Sequence, residues 1–195
     1  MMEPPLPRAK NKTVIKILVL GSSNVGKTSL MTRYATGTFT GQRMPTVGAD
    51  FMTKRVILDE REVTMQIWDT AGQERFHQGT LGSAFYRGAN GALLCYDVNN
   101  VKSQEQLCAW RDECLQQKLS GAIHFPVVVI GNKVDLRDAM DPASRADQTP
   151  VLDWCKDNGY GHVETSAKDG LGVEAAMNAI AGLALEAMNT SVCFC

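Results

Sequence analysis

Gly21 to Thr28 reads GSSNVGKT, the spacing of a phosphate cradle, G-x-x-x-x-G-K-[ST]. Gly21 and Gly26 let the backbone curl, so that N–H groups from Ser22, Ser23, Asn24, Val25 and Gly26 can point at phosphate oxygens. Lys27 can reach the β- and γ-phosphates, the Thr28 hydroxyl can ligate Mg²⁺, and Ser29 continues into a helix whose positive end adds to the field. Further along, Trp68-Asp69-Thr70-Ala71-Gly72-Gln73 leaves an apolar run. Asp69 suits a Mg²⁺ shell. Gly72 has no side chain to keep its N–H from a γ-phosphate, and the Gln73 amide can orient an attacking water because it both donates and accepts. Without the cradle upstream, the same stretch reads as a strand end and a turn.

Two more clusters address a base. In Asn132-Lys133-Val134-Asp135, one carboxylate can accept from both N1–H and the exocyclic amine of guanine. Adenine offers neither donor on that edge and would leave the Asp135 carboxylate buried and unpaired, a difference of several kcal/mol. The Lys133 stem can pack on the base plane, and Asn132 can tie its loop to the cradle. Glu164-Thr165-Ser166-Ala167-Lys168 supplies a second base loop, whose Ala167 N–H can meet guanine O6 and whose Ser166 and Lys168 flank it. Thr46, after Pro45, can complete the Mg²⁺ shell, although a Pro-Thr pair is also an ordinary loop. Phe39 is an aromatic in a polar stretch, with two readings: stacking on the base, or packing beneath its loop.

These residues need a scaffold that brings four loops to one place. Apolar runs predict strands at 14–20, 50–58, 63–69, 91–97, 127–131 and 162–165, and helical patterns cover 27–36, 103–118, 146–158 and 173–188. The polar turn Asp59-Glu60-Arg61-Glu62 makes the second and third strands an antiparallel hairpin. The other strands are separated by helices, which predicts parallel crossovers and an α/β sheet covered on both faces. Ligands bind at the carboxyl ends of strands in such sheets, where all four clusters fall.

At 195 residues and a net charge of −1, the chain reads as one domain with no basic block for nucleic acid. No stretch approaches the roughly 20 apolar residues of a membrane span, and the start is not that of a signal peptide, so a cytosolic chain is expected. The six cysteines then read as reduced thiols. Cys95, Cys108, Cys114 and Cys155 are expected as buried small residues, and Cys193 and Cys195 as exposed.

Together these motifs resemble the Ras superfamily of small GTPases, and within it the Rab family. The likeness is carried by VGADF at 47–51, TMQIWDTAGQERF at 64–76, FYRGA at 85–89 and LLCYDVN at 93–99. VGADFMTKRV, AFYRGA, Trp110-Arg111-Asp112-Glu113 and FPVVVIGNK resemble the branch that serves late endosomes and the vacuole or lysosome. The resemblance implies a P-loop NTPase G domain at 14–188, between a flexible lead-in (1–13) and a short tail (189–195). It implies a switch in which the γ-phosphate holds Thr46 and Gly72, Mg²⁺ is held by Thr28, Thr46 and Asp69, and Gln73, Lys27 and Gly72 serve hydrolysis. Phe51, Trp68 and Phe85 match an effector-facing aromatic triad. Cys193-Phe194-Cys195 resembles an ending that carries two prenyl groups. Implied partners are an exchange factor, a GTPase-activating protein, a prenylation escort, a GDP-dissociation inhibitor and effectors, with a monomeric G domain on the cytoplasmic face of endomembranes.

Four features depart from the pattern. Ser23 and Asn24 stand at positions often held by glycine, and the stretch 76–85 is longer than the resemblance leads one to expect. Both leave open a second reading, a GTP-dependent binding module with almost no turnover. The span 135–164, with turn signals at Asp141-Pro142 and Thr149-Pro150, predicts a surface insertion, and the tail is short. A P-loop nucleotide kinase would need an acceptor-base site and a basic lid, and fits 69–73 and 132–135 less well.

Overall fold

Strand periodicity explains the layering. β4 (Gly91–Asp97) and β5 (Val127–Asn132) are buried almost throughout, as strands covered on both faces must be. β2 (Ala49–Leu58) and β3 (Arg61–Thr70) alternate instead, with Val63, Met65 and Ile67 inward and Thr64, Gln66 and Trp68 on a less covered face. With β1 (Thr13–Leu20) and β6 (Gly161–Thr165) they form one six-stranded sheet in the order β2-β3-β1-β4-β5-β6. Only the β2–β3 pair is antiparallel; the other pairs run parallel. This is the expected architecture, taken from a computed structural model that describes residues 13–41, 49–58, 60–70, 83–117 and 125–192.

Helices cover both faces. α1 (Lys27–Thr36) and α7 (Val173–Val192) pack Leu30, Met31, Tyr34, Met177, Ile180 and Ala184 against Ile15, Ile17 and Ile67. On the other face, α2 (Ser83–Tyr86), α4 (Leu107–Gln117) and α6 (Thr149–Asn158) supply Phe85, Tyr86, Leu107, Cys114, Val151 and Cys155 against Leu18, Leu94 and Val129. α3 (Val101–Glu105) and α5 (Val134–Asp138) are short, and each follows the end of a strand.

Several boundaries differ from the sequence reading. The helix expected at 103–118 is two helices, separated at Gln106, whose side chain turns toward the cradle. Thr149-Pro150 opens α6, because a proline in the first helical turn loses no hydrogen bond there. The last helix runs on to Val192, where the tail was expected from residue 189. Residues 138–145 lie on the surface, as expected, with a 3₁₀ turn at Pro142–Ser144. Arg61 already pairs with Leu58, so the hairpin turn is tighter than expected, and Glu60 takes φ 61° to close it. Of the thiols, Cys95, Cys114 and Cys155 are buried, but Cys108 is exposed on the outer side of α4. No helix among the described residues is long and apolar enough to cross a membrane.

Candidate functional site

The cradle follows β1 directly, and its two glycines are required by space. Gly21 has φ 141°, and a Cβ there would lie 2.1 Å from the Cys95 carbonyl oxygen on the neighbouring strand. Gly26 has φ 97°, and its Cβ would meet the Asn132 Nδ2 at 2.4 Å. Between them Asn24 takes the left-handed region at φ 62°, and Ser23 and Asn24 are exposed at the rim. Lys27 is buried within the loop. Its Nζ donates to the carbonyls of Gly21 at 2.7 Å and Ser22 at 2.9 Å, which stations the ammonium among the N–H groups of the cradle. Ser22 and Val25 do not offer side chains to a ligand. The Ser22 hydroxyl bonds Gln106 and lies 3.5 Å from the Trp110 Nε1, and Val25 is buried in the core, so both can serve only through backbone. Ser29 stays half-buried in the first turn of α1.

Beside the cradle, Thr28 Oγ1 donates to Asp69 Oδ2 at 2.5 Å, and Asp69 is fully buried. Asp69 pairs with Val19 across the sheet, which puts its carboxylate at the mouth of the P-loop. A hydroxyl and a carboxylate converging there form a hard-oxygen donor set of the kind Mg²⁺ takes when phosphates and water complete its shell. The Cys95 thiol behind the cradle is pushed up to about 12 by burial, so it stays protonated and inert.

The base end is a single hydrogen-bonded unit built around Asn132, which is 1% exposed. Its Nδ2 donates to the Val25 carbonyl at 2.9 Å, and its Oδ1 accepts from Thr165 Oγ1 at 3.1 Å and the Ala167 N–H at 3.3 Å. One side chain thus joins the cradle, β5 and the base loop; the tie to the cradle was expected, and the tie to the base loop was not. The Ala167 N–H, expected to face a base oxygen, makes only this long bond among the described residues. Asp135 Oδ1 accepts from the Ser166 hydroxyl at 2.8 Å. Lys133 takes φ 70°, and its Nζ bridges the Asn24 carbonyl at 2.6 Å and Asp97 at 2.8 Å. Its stem is thereby stretched along the rim, where a base plane can rest on it.

Sequence reasoning missed four supporting residues. Asp97 anchors Lys133 from the carboxyl end of β4, the same kind of position as the other loops. Gln106, at the break between α3 and α4, and Trp110 on α4 hold Ser22. Arg33, in the last turn of α1, donates to the carbonyls of Ala167, Lys168 and Gly37. A basic residue four positions before a helix-ending glycine was the only signal for it.

Thr46, Gly72, Gln73, Cys193 and Cys195 lie outside the described residues, as does most of the lengthened stretch 76–85. Phe39 is 40% exposed. The aromatic triad is contiguous: Phe51 stacks on Trp68 at 5.3 Å, and Phe85 meets Trp68 edge-on at 6.0 Å. Its members differ in exposure, however. Phe51 is 58% exposed, Trp68 is half-buried, and Phe85, at 7%, supports Trp68 from below and does not face solvent. Lys16 braces the cluster, with Nζ 4.3 Å from the Trp68 ring centre and donating to the carbonyls of Phe85 and Arg87.

Comparison with known proteins places this geometry in context. The sequence profile described as Ras family matches residues 16–186. Among similar proteins, the Ras-related protein Rab7 of Drosophila melanogaster is 50% identical over 179 residues, 91% of this chain and 83% of that protein. The Ras-related protein Rab-7a of Dictyostelium discoideum is 48% identical over 91% of this chain and 85% of its own. The Ypt/Rab-type GTPase ypt7 of Schizosaccharomyces pombe is 46% identical over 93% and 87%.

Proposed function

The chain belongs to the Ras family, on its Rab branch, and we propose that it is a GTP-binding and GTP-hydrolysing switch of endosomal or vacuolar membrane traffic. One observation carries this reading. Asn132 bonds the P-loop and the base loop at once, with Asp135 and Lys133 flanking it, so phosphate and guanine recognition share one rigid frame. Lys27 and the backbone N–H groups stabilise charge on the transferring phosphate, and Gln73 orients the attacking water. Mg²⁺, held by Thr28 and Asp69 with Thr46, would neutralise charge on the phosphate oxygens when bound. Asp135 reads the guanine amine and N1–H, Ser166 holds Asp135, and the Ala167 N–H reads O6. Phe39 rests on the ribose-and-base side.

In the GTP state Thr46 and Gly72 are held, and the face carrying Phe51 and Trp68 receives effectors. An exchange factor and a GTPase-activating protein set the two states. Cys193 and Cys195 carry prenyl groups, delivered with an escort and retrieved by a GDP-dissociation inhibitor. Incorporation of a labelled isoprenoid that is lost in the Cys193→Ser/Cys195→Ser double variant tests this attachment.

The reading as a binding module without turnover, motivated by Ser23, Asn24 and the stretch 76–85, draws no support from relatives that are themselves named GTPases. The direct test of the function is competition for the purified protein between GTP and ATP. Guanine selectivity of several orders of magnitude is expected. Equal competition by ATP would refute the reading.

A further inference from the structure

Arg33 belongs to none of the motifs, yet it makes two ties to the base loop, as many as Asn132. Its Nε donates to the Ala167 carbonyl at 2.7 Å, Nη2 to the Lys168 carbonyl, and Nη1 to the Gly37 carbonyl at 2.6 Å. The first two acceptors are successive peptides immediately after the Ala167 N–H. The third is the residue that ends α1, at φ 72°, before the chain leaves toward Phe39. The turn itself is bracketed at both ends: Ser166 N–H donates to the Leu171 carbonyl at 3.0 Å, and Gly170 N–H to the Ser166 carbonyl at 2.8 Å. Between those ties, the Ala167 and Lys168 carbonyls are gripped by the guanidinium. Arg33 is half-buried, and its Cδ lies 3.8 Å from where a Cβ on Gly170 would be.

We propose that Arg33 is a positioning residue for guanine O6 recognition: it fixes the Ala167–Lys168 backbone so that the Ala167 N–H, held only by a long 3.3 Å bond to Asn132 Oδ1, is kept where a base oxygen can take it. A planar fork of donors in fixed geometry can hold two consecutive carbonyls and a third on another element, whereas lysine carries its donors on one nitrogen. A merely structural role, a cation at the C-terminus of α1, would stabilise the domain without regard to the base. The two roles separate by which atom of the base stops contributing to binding.

The inference rests on the reading of this pocket as a guanine site. Its test measures GDP, IDP and 2-aminopurine riboside diphosphate binding to the parent, Arg33→Met and Arg33→Lys proteins. IDP lacks the amine that Asp135 reads but keeps O6 and N1–H, whereas 2-aminopurine lacks both O6 and the N1–H, so the Arg33 effect is read as the change in loss between nucleotides and not from the weaker binding of 2-aminopurine itself. Arg33→Met should lose roughly tenfold in affinity for GDP and for IDP, and less than about threefold for the 2-aminopurine nucleotide, the scale of one impaired hydrogen bond. Arg33→Lys should fall between parent and Met, and it carries the same comparison if the Met protein does not fold. An equal loss for all three nucleotides, or no loss for any, would overturn the proposal while leaving the guanine site intact. A parent protein that binds the 2-aminopurine nucleotide as tightly as GDP would overturn the O6 reading itself.

Discussion

Replacing Asn132 with alanine should damage stability and nucleotide binding together, because one buried side chain serves three elements. The substitution removes bonds of 2.9, 3.1 and 3.3 Å and leaves the Val25 carbonyl, the Thr165 hydroxyl and the Ala167 N–H to find other partners. Thr165 is fully buried, so what its hydroxyl loses is not restored by bulk solvent. A buried polar group stripped of its partner costs about 1–3 kcal/mol. The Ala167 bond is long and contributes least, so the three together come to about 3–5 kcal/mol. That is a large fraction of the roughly 5–15 kcal/mol that separates folded from unfolded domains. At about 2–4 °C per kcal/mol for a chain of this size, thermal unfolding in saturating GDP should move down by roughly 6–20 °C. Urea unfolding should give the same free energy, and release of a fluorescent GDP analogue should speed up by about a hundredfold or more. Asn132→Asp separates the bonds: it keeps both acceptor contacts but sets a carboxylate oxygen against the Val25 carbonyl. It should be no better than alanine. A shift under about 1 kcal/mol with an unchanged release rate would refute the role of Asn132 as the common tie.

Other perturbations follow from the same geometry. Gly26→Ala places a Cβ 2.4 Å from the Asn132 Nδ2 in a left-handed backbone, so isothermal titration should find GDP binding lost while the chain still folds. Asp135→Asn keeps an oxygen for the Ser166 hydroxyl but presents a donor to the base. Affinity for GDP should fall about a hundredfold or more, and xanthosine diphosphate, with an oxygen in place of the amine, should bind better than GDP. The Tyr96 hydroxyl donates to Gln148 at 2.8 Å and so accepts from His162 Nε2 at 3.0 Å, with His162 held neutral because burial lowers its pKa below the usual 6.5. The unfolded chain takes the proton first, so the contribution of His162 is complete above about pH 6.5 and declines as pH falls below it, by at most about 1.4 kcal/mol per pH unit. Urea unfolding of the parent against His162→Gln between pH 7.5 and 5 should show that decline in the parent alone.

Much of this was legible in the residues, and the remainder has identifiable reasons. Most strands stood out because β4 and β5 are nearly continuous apolar runs, β1 is apolar over 14–20 but for Lys16, and β3 alternates, patterns set by burial on two faces or one. Motif residues were legible where glycine geometry or donor chemistry leaves no substitute, as at Gly21, Gly26 and Asn132. Gln106 was not, since a glutamine inside a helical pattern does not signal a break or a bond to Ser22. Thr149-Pro150 was read as a turn because proline signals both a turn and a first helical turn. Phe85 was assigned to an exposed triad from its place in a motif, but the bracing of Trp68 by Phe85 and Lys16 depends on contacts between residues distant in sequence, Lys16 lying more than fifty positions before Trp68, which no local pattern carries. Arg33 was invisible for the same reason: its partners lie on a loop far along the chain.

The central claim is most directly tested by single-turnover hydrolysis of preloaded GTP, followed as phosphate release with and without Mg²⁺, in the parent and in Gln73→Leu. The account predicts Mg²⁺-dependent release of phosphate with GDP left on the protein, at a rate reduced by at least about tenfold in Gln73→Leu. Bound GTP that persists unchanged in the parent, or equal rates in the two proteins, would contradict it.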